Sequence, residues 1–489
     1  MLIPPTPSGD SDAKQLALLG YSQALDRRVS GFSNFALSLS IICILAGGIT
    51  SFHVGLCSAG GASIGIGWPL VCLFSMAVAL TMSQVASAFP TAGGLYHWGT
   101  ILGGRTCGWV TAWLNLVGLI TVMAAINSGV YDFLVAAFGI APTGASAEGI
   151  RRLSIGAMTL TQALLNHYGM RLTTRLVDLS GWLILITTAV LTAGLLFGTS
   201  QFEWSRLWTF TNFSGLPEGA PVFPAQSGLA WLFALGLLFP AYTITGFDAS
   251  AHIAEETVGA ARNVPKGILR SVAVSAVCGW ILVSAILLAM PDLRQGAAKG
   301  SEVVPWVVRS VIPSWLSPLL LGSILLCQFL CGLAALTSAS RMTFAFARDG
   351  GLPFSGALSS VNVRTRSPSK AVWFTALAGV TFTAFVPYTT IAAVCTILLY
   401  LSYVIPIAAG FWAHGRSWKV MGPWQLGRAY RPLAAVSTLG CVFLLILSLQ
   451  PPNEAAIPLV GGCLLFLGVY WFAWERKRFR GPPSSLRCR

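Results

Sequence analysis

The chain has 489 residues, 55% of them hydrophobic and only 9% charged, whereas soluble domains carry about 25% charged residues. With a mean hydropathy of +0.73, this excludes an ordinary soluble fold and indicates a polytopic membrane protein. The formal net charge of +14 would suit nucleic acid, but the placement of the basic residues assigns it to membrane topology instead.

The first thirty residues are polar, with Pro4, Pro5 and Pro7 and no early apolar core, so no signal peptide is expected. Twelve apolar segments follow, near 35–58, 67–87, 107–138, 151–168, 179–198, 227–254, 268–290, 316–345, 371–387, 389–413, 432–450 and 455–474. Each approaches the roughly 20 residues that an α-helix needs to cross a bilayer. The short-period alternation of a membrane barrel is absent. If every segment spans, all Lys and Arg fall on the side of the termini except Arg151, Arg152, Arg206, Arg294, Lys299 and Arg309. Positive charge marks cytoplasmic loops. The expectation is therefore an integral membrane protein with both termini in the cytoplasm, in a plasma membrane or a bacterial inner membrane, and no nucleic-acid partner. The tails would be 1–30 and 475–489, around a transporter-sized domain of 31–474.

Two segments are interrupted. In the first, Phe35 to Ala46 is cut by Gly47-Gly48. In the sixth, Leu229 to Ala241 is cut by Tyr242-Thr-Ile-Thr-Gly246. Twelve or thirteen helical residues reach roughly 20 Å, short of a hydrocarbon core of about 30 Å. Each reads as a half-helix, a break and a second half. The two lie five segments apart. Matched broken helices in two halves point to a transporter binding site, and an odd number of spans per half makes the second half inverted. Glycine also serves plain helix packing, and for Gly47-Gly48 both readings stand. Where a second half-helix starts, its N–H groups and positive dipole suit a carboxylate, here at Gly47, Gly48 and Ile49. Where a first half-helix ends, its carbonyls suit an ammonium, here near Tyr242, Thr243 and Thr245.

Beyond the sixth break the sequence runs Thr245-Gly-Phe-Asp248-Ala-Ser-Ala-His252-Ile-Ala-Glu255-Glu256-Thr, then Ala261-Arg262-Asn263-Val-Pro265-Lys266. With Phe89-Pro90-Thr91-Ala-Gly93-Gly94-Leu-Tyr96 and Ser340-Arg341…Ala347-Arg348-Asp349-Gly350, this resembles the permeases of the amino acid–polyamine–organocation superfamily, in the branch that holds GABA, choline and amino-acid permeases. The resemblance implies an all-α fold of twelve transmembrane helices: a five-plus-five inverted repeat (about 31–200 and 226–413) with helices 1 and 6 broken, plus two helices over 432–474. It implies alternating access around a midplane site. Carried over by motif position, Ala46 to Ile49, Tyr242, Thr245 and Asp248 would bind substrate. Many such proteins carry a Lys in the fifth helix where others bind sodium; Leu179 to Phe197 has none, so the coupling ion, H+ or Na+, is open, as is exchange without any ion.

Asp248 reads either as the N-cap of the second half-helix or as a cap that also meets substrate. His252, on the same helical face, reads as a packed side chain or a proton relay, and Asp178 is a further proton candidate. Glu255 and Glu256, facing Arg262, Arg341 and Arg348, read as an inner ion-pair gate or as a solvated helix end. Phe239, Tyr242, Phe247, Trp113, Tyr400 and Tyr403 would be available to cage a quaternary amine. No metal site is expected: Cys327 and Cys331 stand at i, i+4 without a nearby His or carboxylate. No cofactor, nucleophile–base constellation or phosphate-binding loop is visible, which argues against an enzyme. The expected function is secondary transport of a small amine-bearing metabolite, an amino acid such as GABA, with a choline or polyamine permease and a transporter-like nutrient receptor as alternatives.

Overall fold

The computed structural model describes residues 9–483 except 141, 143 and 145; the parts of the two expected tails before Gly9 and after 483 lie outside it. The architecture is all-α. The first segment comprises Gly31–Ile42, Gly47–Thr50 and Phe52–Ala59. The unbroken helices are the second (Gly67–Ala88), third (Arg105–Phe138), fourth (Ala147–His167) and fifth (Met170–Gly198). The sixth comprises Leu229–Gly236, Leu238–Thr243, Ala249–His252 and a 3-10 turn, Ala254–Glu256. The seventh (Ala260–Ala289), eighth (Ser317–Arg348), ninth (Ser369–Phe385), tenth (Tyr388–Ala413), eleventh (Tyr430–Ser448) and twelfth (Ala456–Tyr470) follow.

Among the described residues, nine helical stretches are long and apolar enough to cross a membrane. The fourth, sixth and ninth are the exceptions. The sixth is interrupted, the ninth has 17 residues, and the fourth carries Arg151, Arg152 and Glu148 in its first turns. The outer faces keep exposed Leu, Phe and Trp, such as Leu73, Phe197, Leu439 and Phe472. An apolar exterior is what a lipid solvent selects.

The first and sixth segments pack together at their breaks. The third helix lies along the eighth and tenth, the second along the seventh, and the fourth along the ninth. Gly47 shows how close the two broken segments come: a Cβ built there would stand 3.0 Å from the Cα of Thr243.

The first break lies upstream of its expected place. The helix ends at Ile42, the chain turns over 43–46, and Gly47 opens the second half rather than cutting the first. Cys43 adopts φ 25°. In the sixth segment the first half runs on through Tyr242 to Thr243, and the turn is made by Gly246 at φ 84°, a conformation that a Cβ disfavours. We expect Gly246→Ala to lower the melting temperature in detergent, by an amount corresponding to at least ~1 kcal/mol.

The N-terminal tail is not free in its described part. Leu16, Tyr21, Leu25 and Val29 are buried, and the main chain at Arg28 and Val29 donates to the Glu256 carbonyl at 2.9 and 2.8 Å. At the other end helix continues to Arg478, past the expected limit of 474, with Glu475 buried and paired to Arg478 at 2.7 Å. Arg478 also reaches the Gly350 carbonyl at 3.3 Å. Tyr21 meets the neighbouring Asp349, so both terminal segments lie on one face.

Candidate functional site

A small cavity of about 30 Å³ sits where the two broken segments meet. Ala46, Gly47 and Thr50 line it from the first segment, and Tyr242, Thr243, Thr245 and Gly246 from the sixth. Gly129, Gln328, Cys331, Tyr388, Cys395 and Thr396 are among the residues that form the rest of the wall. That volume holds about one water molecule. On the face away from the termini lies a vestibule of about 670 Å³, rimmed by Pro217, Ala220, Lys299, Glu302 and Asn453. Thr50, Gly129, Tyr242, Tyr388 and Thr396 line both spaces. They form the partition between them.

The breaks leave a defined set of backbone groups. The N–H groups of Ala46 and Gly47 both donate to the Cys43 carbonyl, at 2.7 and 3.1 Å, and that of Ile49 to Ala46. Gly48 N–H has no acceptor among the described residues. The Leu45 carbonyl accepts from Gln328 Nε2 at 3.0 Å. In the sixth segment, Thr243 Oγ1 donates to the Phe239 carbonyl, and Thr245 Oγ1 to those of Ala241 and Tyr242. These hydroxyls cap their own helix end. The carbonyls of Thr243 and Ile244 remain without a donor among the described residues. A helix end thus presents acceptors beside the cavity.

Of the residues expected to bind substrate, Ala46, Gly47, Tyr242, Thr243 and Thr245 line the cavity; Gly48, Ile49 and Asp248 do not. A Cβ on Gly48 would face Trp68, Thr243 and Val283 at 3.7–3.9 Å, so its side is a packing face.

Asp248 does not cap the second half-helix with its side chain. Its own backbone is helical (φ −66°, ψ −13°) and its carboxylate makes no cap hydrogen bond. Ser38 of the first segment takes that task, accepting from Ser250 N–H at 2.9 Å. The Asp248 carboxylate, fully buried, instead accepts from Tyr403 Oη at 2.7 Å and Asn115 Nδ2 at 3.1 Å, and meets His252 Nε2 at 3.2 Å. Tyr403 in turn accepts from Gly246 N–H at 3.1 Å. His252 is also fully buried, its Nδ1 3.3 Å from the Ala92 carbonyl. Asp178 is half-buried and stands outside the cavity.

Glu255 and Glu256 are not a solvated helix end; both are fully buried. The 3-10 turn points them inward, where each meets an arginine of the eighth helix. Arg348 holds Glu255 through two contacts of 2.8 Å, and Glu255 also accepts from Ala92 N–H at 3.1 Å. Arg341 holds Glu256 at 3.1 and 3.3 Å. Two turns of the eighth helix separate these arginines, so one helix staples both carboxylates. Arg262 is exposed and has no carboxylate partner among the described residues.

The N-terminal segment covers this staple. The Arg348 guanidinium lies 3.8 Å over the Tyr21 ring, and Tyr21 Oη donates to Asp349 at 2.8 Å. Tyr96 and His97 meet the same Asp349 oxygen at 3.0 Å each. Burial alone would raise the pKa of Asp349, but His97, Arg348 and Tyr21 hold it below the usual carboxylate range. Tyr21 is pushed well up, by burial first and then by Asp349.

Sequence reasoning missed Gln328, Tyr388, Asn115 and the Tyr21–His97–Asp349 cluster, and it offered Tyr403 only as a cage aromatic rather than as the partner of Asp248. Asp349 stood inside a quoted motif and His97 directly followed one; Tyr21 lies in the polar tail, and the others lie in apolar runs that carry no local signal.

The amino acid permease family model matches residues 29–473. Amino-acid permease BAT1 of Arabidopsis thaliana is 31% identical, over 98% of this chain and 98% of that protein. The amino-acid permease BAT1 homolog of Oryza sativa subsp. japonica is 30% identical, over 98% of this chain and 96% of its own. The GABA-specific permease of Saccharomyces cerevisiae is 26% identical, over 97% and 86%. Two broken helices around a shared cavity, and a match that spans nearly the whole chain, lead to one conclusion: the chain belongs to the amino acid permease family, within the amino acid–polyamine–organocation superfamily.

Proposed function

We propose that this protein is a secondary transporter of a small amino acid, GABA or one of similar size, working by alternating access. The observation that carries this is the cavity at the two helix breaks, divided from a vestibule on one face only by the Tyr242–Tyr388 partition and sealed by buried ion pairs on the other. The substrate carboxylate would meet the backbone at Gly47-Gly48, and its ammonium the free carbonyls of Thr243 and Ile244. A cavity of about 30 Å³ is too small for any amino acid, so binding requires the Tyr242–Tyr388 partition to open. This favours a short substrate. The termini would face the cytoplasm, with uptake from the vestibule side.

A quaternary amine fits less well. Of the six aromatic residues available for a cage, only Tyr242 lines the inner cavity among the described residues. A receptor without transport would bind but show no flux. Uptake of labelled GABA, a neutral α-amino acid and choline into proteoliposomes decides among these. We expect GABA or the α-amino acid to accumulate and choline not to. Saturable binding with no flux of any of the three would favour the receptor instead.

If the partition sets substrate size, Tyr388→Ala should let larger amino acids compete. Competition by leucine against labelled substrate should strengthen by about tenfold. An unaltered inhibition profile would place the selectivity elsewhere.

A further inference from the structure

The Asp248–His252 pair is buried, lies off the substrate cavity and has a proton count that its geometry restricts. The Ala92 carbonyl has no proton to give, so His252 Nδ1 must carry the hydrogen of their 3.3 Å contact. The other ring nitrogen, Nε2, stands 3.2 Å from Asp248 Oδ2. A neutral ring protonated at Nδ1, facing an ionised carboxylate, would set two lone pairs against each other. A neutral ring can satisfy only one of these two contacts; satisfying both takes one further proton, shared between Nε2 and Oδ2. With it the pair is neutral as a whole; without it the pair is a net anion with one repulsive contact. We propose that this pair is the proton-binding site that couples transport to H+, a reading that rests on the transporter function proposed above.

The surroundings suit that role. Tyr403 from the tenth helix donates to Oδ1 and Asn115 from the third to Oδ2. Asn115 Oδ1 is buried without a donor among the described residues. Tyr400 stacks edgewise on Tyr403 at 5.8 Å. Further titratable groups stand on the neighbouring elements: Glu255 with Arg348, and His97 with Asp349 beside Tyr21 and Tyr96. All of these are paired, whereas the pair at Asp248 and His252 has no arginine or lysine partner among the described residues.

The pair is also wired to both ends of the transport cycle. On one side, Tyr403 links Asp248 to the Gly246 N–H, and Gly246 lines the cavity. On the other, one residue makes both contacts: the Ala92 carbonyl meets His252, and the Ala92 N–H donates to Glu255 of the gate. Loss of the proton removes the attraction at Nε2 and drives the ring from Asp248 or from Ala92. Either movement disturbs the helix break or the gate. Proton binding from the vestibule side restores the closed arrangement, and release toward the termini accompanies gate opening. The proton is bound and released without any covalent change.

The test uses the full chain in proteoliposomes with a pH indicator in the lumen. The probe is the amino acid taken up best in the panel above. The wild type should accumulate it under an inwardly directed proton gradient, with lumenal acidification on substrate addition. His252→Gln should lose about tenfold of that accumulation, together with the acidification, while exchange of labelled for unlabelled substrate falls less than threefold. Tyr403→Phe, which removes a donor to the carboxylate and the link to Gly246, should weaken coupling and move the pH of half-maximal uptake upward by on the order of one unit. Retention of gradient-driven accumulation and acidification by His252→Gln overturns the proposal, as does an unmoved midpoint in Tyr403→Phe. A wild type that exchanges substrate but ignores the gradient overturns coupling and leaves the transporter reading standing. A wild type that neither takes up nor exchanges any of the three compounds overturns that reading itself.

Discussion

Glu256→Ala should lower stability by about 3–5 kcal/mol, read as a fall in melting temperature in detergent and a loss of monodisperse protein. The reason is the partner left behind. Arg341 is fully buried and, among the described residues, its guanidinium has one carboxylate within reach, at 3.1 Å. Removing that carboxylate strands a cation where hydration cannot reach it, and a stranded charge costs more than the pair contributes. The double substitution Glu256→Ala with Arg341→Met should therefore recover most of the loss, since no charge remains to solvate. Glu255→Ala should cost less, because Arg348 is 17% exposed on its side chain and can turn to water. Its main effect should be on function: a gate that no longer closes, seen as faster efflux. A Glu256→Ala protein with wild-type stability would show that water reaches Arg341 and that the pair is not a dry staple.

Gly47→Ala should cut uptake by at least about tenfold, while Gly48→Ala should keep most of it. The two glycines are adjacent, and sequence alone treats them alike. At Gly47 a Cβ would meet Thr243 Cα at 3.0 Å, a backbone atom of the other broken segment that cannot rotate away. One methyl there pushes the two helix ends apart and reshapes the cavity that both of them line. At Gly48 the nearest atoms stand at 3.7–3.9 Å, ordinary van der Waals contact. A larger group, as in Gly48→Leu, should collide with Trp68 and abolish uptake as well. Initial-rate uptake at matched reconstitution levels distinguishes these cases. Equal tolerance at both positions would mean that the close approach to Thr243 is not needed for transport.

Much of the architecture was legible because a bilayer imposes it. Apolar length and two interrupted segments five apart are one-dimensional facts, and lipid leaves helices few other arrangements. The family motifs were legible for the same reason: each is a local run. The exact breaks were not. The first helix ends at Ile42 rather than Ala46 because Gln328 of the eighth helix holds the Leu45 carbonyl and the Cys43 carbonyl takes two N–H groups.

What the sequence determined by itself, then, is the class of fold, the membrane as solvent, the pair of segments that meet and the identity of the charged residues near them. Only the tertiary structure decided what those charges do. Asp248 carries the local marks of an N-cap, yet Ser38, more than two hundred residues earlier, satisfies Ser250 N–H and frees the carboxylate for Tyr403, Asn115 and His252. Glu255 and Glu256 read in sequence either as ion-pair partners of nearby arginines or as a wet helix end, until the eighth helix and the N-terminal segment close over them. The physical reason is common to both. The energy of a charge depends on whether water or a partner surrounds it, and partners distant in sequence are brought to it only by the fold.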